Sequence, residues 1–148
     1  MDVDAYWEYS DPAASEARFR EALASARGEE RLEILTQVAR SYGLRKRFDD
    51  AHRVLDDISH EAEGAGPRVR ARYLLERGRT FNSAGHSLEA RVKFTEAWDV
   101  AGAAHEEGLA VDAAHMVAIT FEGTPEALEW NAKGLAAARR STDAKAQS

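Results

Sequence analysis

The chain has 148 residues, 44% hydrophobic and 31% charged, which supplies enough apolar content for one domain with a real core and excludes a disordered chain. The net charge of −6 argues against nucleic acid as the partner, and the absence of cysteine excludes disulfides, thiolate metal sites and thiol catalysis. The acidic start MDVDAYWEYS lacks a basic-then-apolar leader pattern, and no apolar run approaches the ~20 residues of a membrane span, so a cytoplasmic protein without a membrane partner is expected.

Ala is abundant and only three prolines occur, a profile that favours helix. Asp11-Pro12 reads as a capping residue followed by Pro at the first helical position, opening a helix over 12–27. Trp7, just before it, is expected to cover its end. A second helix follows at 30–43. A third, at 48–63, carries the apolar stripe Phe48, Ala51, Leu55 and Ile58. Gly64-Ala65-Gly66-Pro67 then reads as a stop, a short turn and a new start. The fourth helix, 67–84, places Leu74, Gly78, Phe81 and Ala84 on one stripe. The fifth and sixth are predicted at 87–104 and 107–119. Thr124-Pro125 repeats the cap-and-proline signal and opens the last helix, 125–140, followed by a polar tail at 141–148. No segment alternates with period two for long enough to make a strand. The connections are short, so neighbouring helices should form antiparallel hairpins.

The chain is self-similar. FDDAHRVLDDI (48–58) aligns with SLEARVKFTEAW (87–98), matching Ala51 to Ala90, Leu55 to Phe94 and Ile58 to Ala97. The helices before them align at the same offset, Leu35, Val38, Ala39 and Tyr42 against Leu74, Arg77, Gly78 and Phe81. A third copy puts Ala127 in the place of Ala90. Upstream, Ser15, Phe19 and Ala22 fit the second helix of a half-unit. Small residues at 39, 78, 51 and 90 let paired helices approach closely, and large ones at 42, 81, 55 and 94 fill the gaps between ridges. Leu74, Gly78, Phe81, Gly85, Ala90, Phe94 and Ala97 carry a resemblance to the tetratricopeptide repeat (TPR), a helix–turn–helix unit of about 34 residues. The period here is longer, Gly102 stands where that repeat usually has Pro, and Asn131 and Gly134 depart from the pattern in the third unit. The resemblance implies an all-α, right-handed solenoid of seven helices in a single domain spanning 1–148. It would hold a half-repeat at 12–27 and hairpin repeats at 30–63, 67–104 and 107–140, as in bacterial TPR proteins.

Gly85-His86-Ser87 also looks like the start of the G-x-S-x-G elbow of α/β-hydrolases. That elbow needs a strand before the Ser and a Gly after it. Here the helical stretch LLERGRTFNSA precedes Ser87, and Glu89 replaces the second Gly. Ser87 is therefore read as an N-cap, with Gly85 ending the previous helix. His52, Asp56 and His60, spaced i, i+4, i+8, have metal-ligand chemistry, but Arg53 and Glu61 beside them favour a solvated face and no metal or cofactor is expected. The basic clusters Arg45-Lys46-Arg47 and Arg68, Arg70, Arg72 are flanked by acids, which favours ordinary surface charge.

The first helix of each unit should line a concave face. The residue after each small packing position then points into the groove, which selects Arg40, Arg79 and His115. Thr36, Gln37, Leu75, Glu76, Asn82 and Val111 should lie near them. Such a ladder would hold a carboxylate or an acidic segment of a protein or peptide by charge-assisted bonds. Alternatively, Arg40 and Arg79 pair internally with Glu33 and Glu76. The expected function is a non-catalytic binding scaffold. A second expectation is an oligomerisation or regulatory module. It rests on Leu128, Trp130 and Leu135, which leave an apolar face on the last helix for a homodimer through 125–140. A small enzyme using Ser87 or His115 ranks last, because no nucleophile, base and orienting group converge.

Overall fold

The prolines begin helices, as their missing N–H and fixed φ require. Asp11 accepts a hydrogen bond from the Ala14 amide at 3.1 Å and opens α1 (Pro12–Leu23). Pro67 opens α4 (Pro67–Ser83) and Pro125 opens α7 (Pro125–Gln147). Between them lie α2 (Gly28–Leu44), α3 (Phe48–Glu63), α5 (Ser87–Ala103) and α6 (Glu107–Thr120). A single 3₁₀ turn, η1 (Val3–Tyr6), precedes α1. This is a computed structural model; it describes residues 2–147, with side chains through Thr142. Among the described residues there are seven α-helices and no strand, and no helix is long and apolar enough to cross a membrane.

Four boundary readings change. The first helix ends at Leu23 rather than 27, because the chain turns through Ala24 and Ser25 and reverses at Gly28, whose φ of +58° suits glycine. The polar stretch after 140 continues α7 through Gln147; it contains Ala, Lys and Gln and no Gly or Pro to stop it. Ser87 is the first residue of α5 and not its cap. His86 occupies the capping position, and no side chain caps that end. The Thr124 hydroxyl turns back to donate to the Phe121 carbonyl at 2.6 Å, so it does not cap α7 with its side chain.

The turns after α2, α4 and α5 share one device. Each contains a residue with left-handed backbone: Lys46 at φ +61°, Gly85 at +90° and His105 at +58°. Just beyond it, the Arg47 amide donates to the Tyr42 carbonyl, the His86 amide to the Phe81 carbonyl and the Glu106 amide to the Ala101 carbonyl, the bond that closes a Schellman-type helix end; after α6, Gly123 is also left-handed, but the Thr124 amide donates to the Phe121 carbonyl instead. Gly85 thus ends α4 as expected.

Consecutive helices pack together from α1 to α7, except that α2 also lies against α4 and α4 against α6. The positions matched between the first two hairpins are at the contacts, whereas Ala127, their counterpart in the third, is only half-buried. Ala51, Leu55, Ala90, Phe94 and Ala97 are fully buried. The main cluster joins Ala71, Leu75, Phe94, Ala110, Ala113 and Val117, with Trp98 and Trp130 packed on its edge. A second cluster joins Phe19, Ile34 and Val38 to Val3 and Trp7, so η1 supplies core to the first helices.

Gly78 marks the tightest approach. A Cβ there would stand 2.5 Å from Cε1 of the Phe94 ring, which is itself fully buried. Gly78→Ala should therefore lower stability by about 1–3 kcal/mol, although Ala is the better helix former by roughly 1 kcal/mol. Thermal melts measure this. A variant as stable as the parent would mean that α4 and α5 do not meet at this residue.

Candidate functional site

Helices α2, α4 and α6 present Arg40, Arg79 and Asp112 to one side of the molecule. A groove of about 500 Å³ runs there, lined among others by Asp4, Tyr9, Arg40, Arg68, Arg72, Arg79, Glu106 and Asp112. A smaller cavity of about 220 Å³ adjoins it through Arg40 and Arg79, with Gly43, Leu44, Glu76, Thr80, Ser83 and Met116 around it.

Most of the charge in this region is already committed. Arg79 donates to Glu76 on its own helix and to Asp112 on α6. Its burial alone would favour the neutral guanidine; the two carboxylates outweigh that and hold Arg79 firmly in the charged form. Glu33 on α2 accepts from Arg68 at 3.0 Å and from Arg72 at 2.9 Å, both on α4. Arg68 also reaches Glu106 at 3.4 Å, and Arg72 lies 3.7 Å from Asp4. The internal pairing considered for Arg79 is thus present, whereas Glu33 serves Arg68 and Arg72 and not Arg40.

Arg40 differs. It forms no ion pair or hydrogen bond among the described residues; its Nε is sealed from solvent without a partner. Its guanidinium lies over the rings of Trp7 and Tyr9, 5.5 and 5.2 Å from their centroids. Those rings stack on each other at 4.9 Å. The aromatic faces hold the cation by its charge and its flat surface, and its terminal nitrogens make no hydrogen bond among the described residues.

The structure brings some of the expected groove residues together and not others. Arg40 and Arg79 share both cavities. Gln37 is fully buried and accepts the Trp7 indole N–H at 2.8 Å, so it orients the N-terminal segment and does not line the groove. Thr36 is buried and donates to the Glu33 carbonyl. Leu75 is a core residue. Asn82 and Val111 are half-buried and line neither cavity. His115 is exposed and turned toward α7, where it borders a separate hollow with Ile119, Ala127 and Asn131. The α6 register presents Asp112 to Arg79 in its stead.

The other candidates also find places. His52 and Asp56 both face Arg77, which donates to His52 Nδ1 at 2.8 Å, to Asp56 at 2.7 Å and to the Tyr73 hydroxyl at 2.9 Å. Burial and the neighbouring Arg77 charge push the His52 pKa down, which keeps Nδ1 free to accept. His60 is exposed. Arg45 pairs with Glu16 and Arg47 with Asp50, and both guanidinium groups lie over Tyr42, at 4.9 and 4.7 Å. The Ser87 hydroxyl is exposed and has no hydrogen bond among the described residues. On α7, Trp130 packs edge-on against Trp98 at 5.7 Å, whereas Leu128 and Leu135 are 73% and 53% exposed.

Sequence reasoning missed Asp112 and Tyr9 as groove residues, and Trp7 as the buried ring behind Arg40. Asp112 had a signal, since it lies one helical turn before His115. The aromatic pair had none, because a contact between residues 7 and 40 has no local periodicity. Comparison with protein-family models, with curated proteins and with solved structures returns no match.

The two arginines should separate in a stability experiment. Arg79→Ala strands the buried Glu76 carboxylate and should cost about 3–5 kcal/mol. Arg40→Ala loses only its ring contacts and should cost no more than about 1 kcal/mol. Chemical denaturation of the two variants checks this; equal losses would remove the distinction between a committed and an open arginine.

Proposed function

We propose that the chain is a non-catalytic, TPR-like scaffold that holds a protein or peptide segment on the face formed by α2, α4 and α6. The matching left-handed turns at Lys46 and Gly85, 39 residues apart, support the repeat reading. So do the buried equivalent positions Ala51 and Ala90, and Leu55 and Phe94. The packing of α2 on α4 and of α4 on α6 is what a solenoid of hairpins requires.

The observation that carries the reading is Arg40. It is the groove arginine whose guanidinium no acid of the described chain neutralises, and its stem lies in a pre-formed aromatic setting. An acidic segment or a carboxylate would complete it by a forked, charge-assisted bond. The preference for acid is therefore local to Arg40, since the remaining groove arginines are paired. A fluorescent acidic peptide should bind, with affinity falling as salt rises from about 50 to about 500 mM, because a partly exposed ion pair is screened. Arg40→Ala should remove the binding while the fold persists. Salt-independent binding that survives Arg40→Ala would take the site off this face.

A second reading rests on the last helix. Leu128 and Leu135 are exposed on α7, and Ile119 at the end of α6 is 40% exposed. Self-association through this end would cover them. Trp130 contributes less than expected, because Trp98 already takes its face and Lys133 lies 4.1 Å from its ring. Sedimentation at micromolar concentration should show a dimer that Leu128→Glu with Leu135→Glu dissociates. A monomer in the parent protein would eliminate this reading.

A further inference from the structure

One matched position carries different chemistry in the first two hairpins. Ala51 aligns with Ala90, so His52 aligns with Arg91. Each reaches from the beginning of its hairpin's second helix to the end of the helix that follows. Arg91 runs from α5 to the end of α6. Its guanidinium donates to the Thr120 hydroxyl at 3.0 Å and to the Thr120 carbonyl at 2.7 Å, and lies 3.5 Å from the centroid of the Phe121 ring. His52 runs from α3 to the end of α4. Its ring lies 4.9 Å from the Phe81 ring, and its Nδ1 is 2.8 Å from Nη1 of Arg77. The first seam thus rests on a titratable ring, and the second on a cation that keeps its charge at every ordinary pH.

The contact itself fixes the state of His52. A guanidinium has only donors, so Nδ1 must accept, and the ring is neutral with its proton on Nε2. A proton added at Nδ1 removes the acceptor and sets an imidazolium against Arg77. Arg77 keeps two other partners, the Tyr73 hydroxyl on its own helix at 2.9 Å and Asp56 on α3 at 2.7 Å. The Asp56 side chain is 69% exposed, and so open a pair holds a seam weakly. Burial, Arg77 and His86 in the turn after α4 all oppose the imidazolium; they outweigh Asp56 and Asp49 on α3, so His52 takes up its proton at lower pH than a free histidine. The other helix against α3, α2, meets it at Ala39 and Tyr42, and the Tyr42 hydroxyl is engaged by Glu16 and Arg20. We infer that His52 is an acid-sensitive clasp: acidification loosens the start of α3 from the end of α4, between the first two hairpins, while the Arg91 seam stays closed. Glu33 still joins α2 to α4 through Arg68 and Arg72, so the hairpins loosen without separating. The inference concerns the helical array and does not depend on what the groove holds.

The direction of the shift sets the pH range. The unfolded chain gains a proton at this position near pH 6.5, and the folded chain gains it only at lower pH. The stability that the clasp contributes is complete above about pH 7.5, falls as the pH drops through 6.5, and levels off once the folded ring is protonated. Nuclear magnetic resonance of the whole chain should show His52 with its proton on Nε2 at pH 8 and a titration midpoint below 6.5. In Arg77→Met, which keeps the stem and removes the cation, that midpoint should rise. Hydrogen-exchange protection, corrected for the intrinsic rate, should fall several-fold more between pH 8 and pH 5 at amides 77–81 than at amides 117–121. His52→Asn places a carbonyl oxygen where Nδ1 stands and does not titrate. Its urea midpoint should match the parent's at pH 8 and exceed it at pH 5. A proton on Nδ1 at pH 8, a midpoint at or above 6.5, equal losses of protection at the two seams, or a His52→Asn variant that weakens toward pH 5 as the parent does would each overturn the clasp.

Discussion

The Arg79 guanidinium, held between Glu76 and Asp112, is the constraint on which the groove depends. A charge taken out of water must be paired in good geometry, and breaking such a pair costs far more than forming it contributes. Arg79 therefore ties α4 to α6 at one spacing. Glu33, between Arg68 and Arg72, ties α2 to α4 in the same manner. These two ionic ties run along the face that carries the groove. They set the distance between its helices more sharply than apolar packing, which tolerates small slips between similar side chains. They also consume most of the positive charge that the sequence places there, which is why Arg40 acquires its special position.

The N-terminal segment completes the same face. Before α1, η1 and the residue after it place Val3 and Trp7 in the core, both buried against Phe19, Ile34 and Val38. The Trp7 indole N–H finds the Gln37 amide oxygen, as a buried indole donor must find an acceptor. One consequence is that Gln37 leaves the groove. Another is that Trp7 and Tyr9 become a flat wall for Arg40. The acidic start thus contributes aromatic surface to the site as well as core to the fold.

Much of this architecture was legible in the sequence, and the reason is periodicity. Ala51, Ala90, Leu55 and Phe94 recur at a fixed offset, and the structure buries all four. Pro12, Pro67 and Pro125 open the helices they were expected to open. The errors fall where local rules compete. Ser87 has the right residue type for a cap, yet α5 begins one residue earlier in register, so its hydroxyl lies inside the helix. Thr124 bonds backward to the Phe121 carbonyl, an alternative always open to a short hydroxyl side chain. The groove was read by extrapolating one register across three units. That works for Arg40 and Arg79, 39 residues apart, and fails for His115, 36 residues further on: it borders the hollow beside α7, and Asp112, 33 residues after Arg79, faces the groove. The Arg79–Glu76 pair, three residues apart, was legible; the bonds from Arg79 to Asp112 and from Glu33 to Arg68 and Arg72 join residues more than 30 positions apart, and no spacing rule selects among so many acids.

The two surfaces left over have different physics, and this bears on how they would be used together. The groove is polar, its charges are largely balanced, and its open element is the Arg40 guanidinium. Recognition there depends on placing donors and acceptors, so it would discriminate among ligands by geometry and respond to salt. The end formed by α6 and α7 exposes Ile119, Leu128 and Leu135. Association there would scale with buried apolar area and concentration and respond little to salt. The groove lies on α2, α4 and α6 and the apolar end on the far side of α6 and on α7, so they meet at the last hairpin. Gly134 brings α7 close to α6 at that hairpin, where an added Cβ would stand 3.3 Å from the Ala114 Cβ. Covering the end would therefore press on α6, and α6 carries Asp112, the anchor of Arg79. Two contacts join the surfaces: α7 on α6 at Gly134, and Trp130 on Trp98 of α5, which packs on α4.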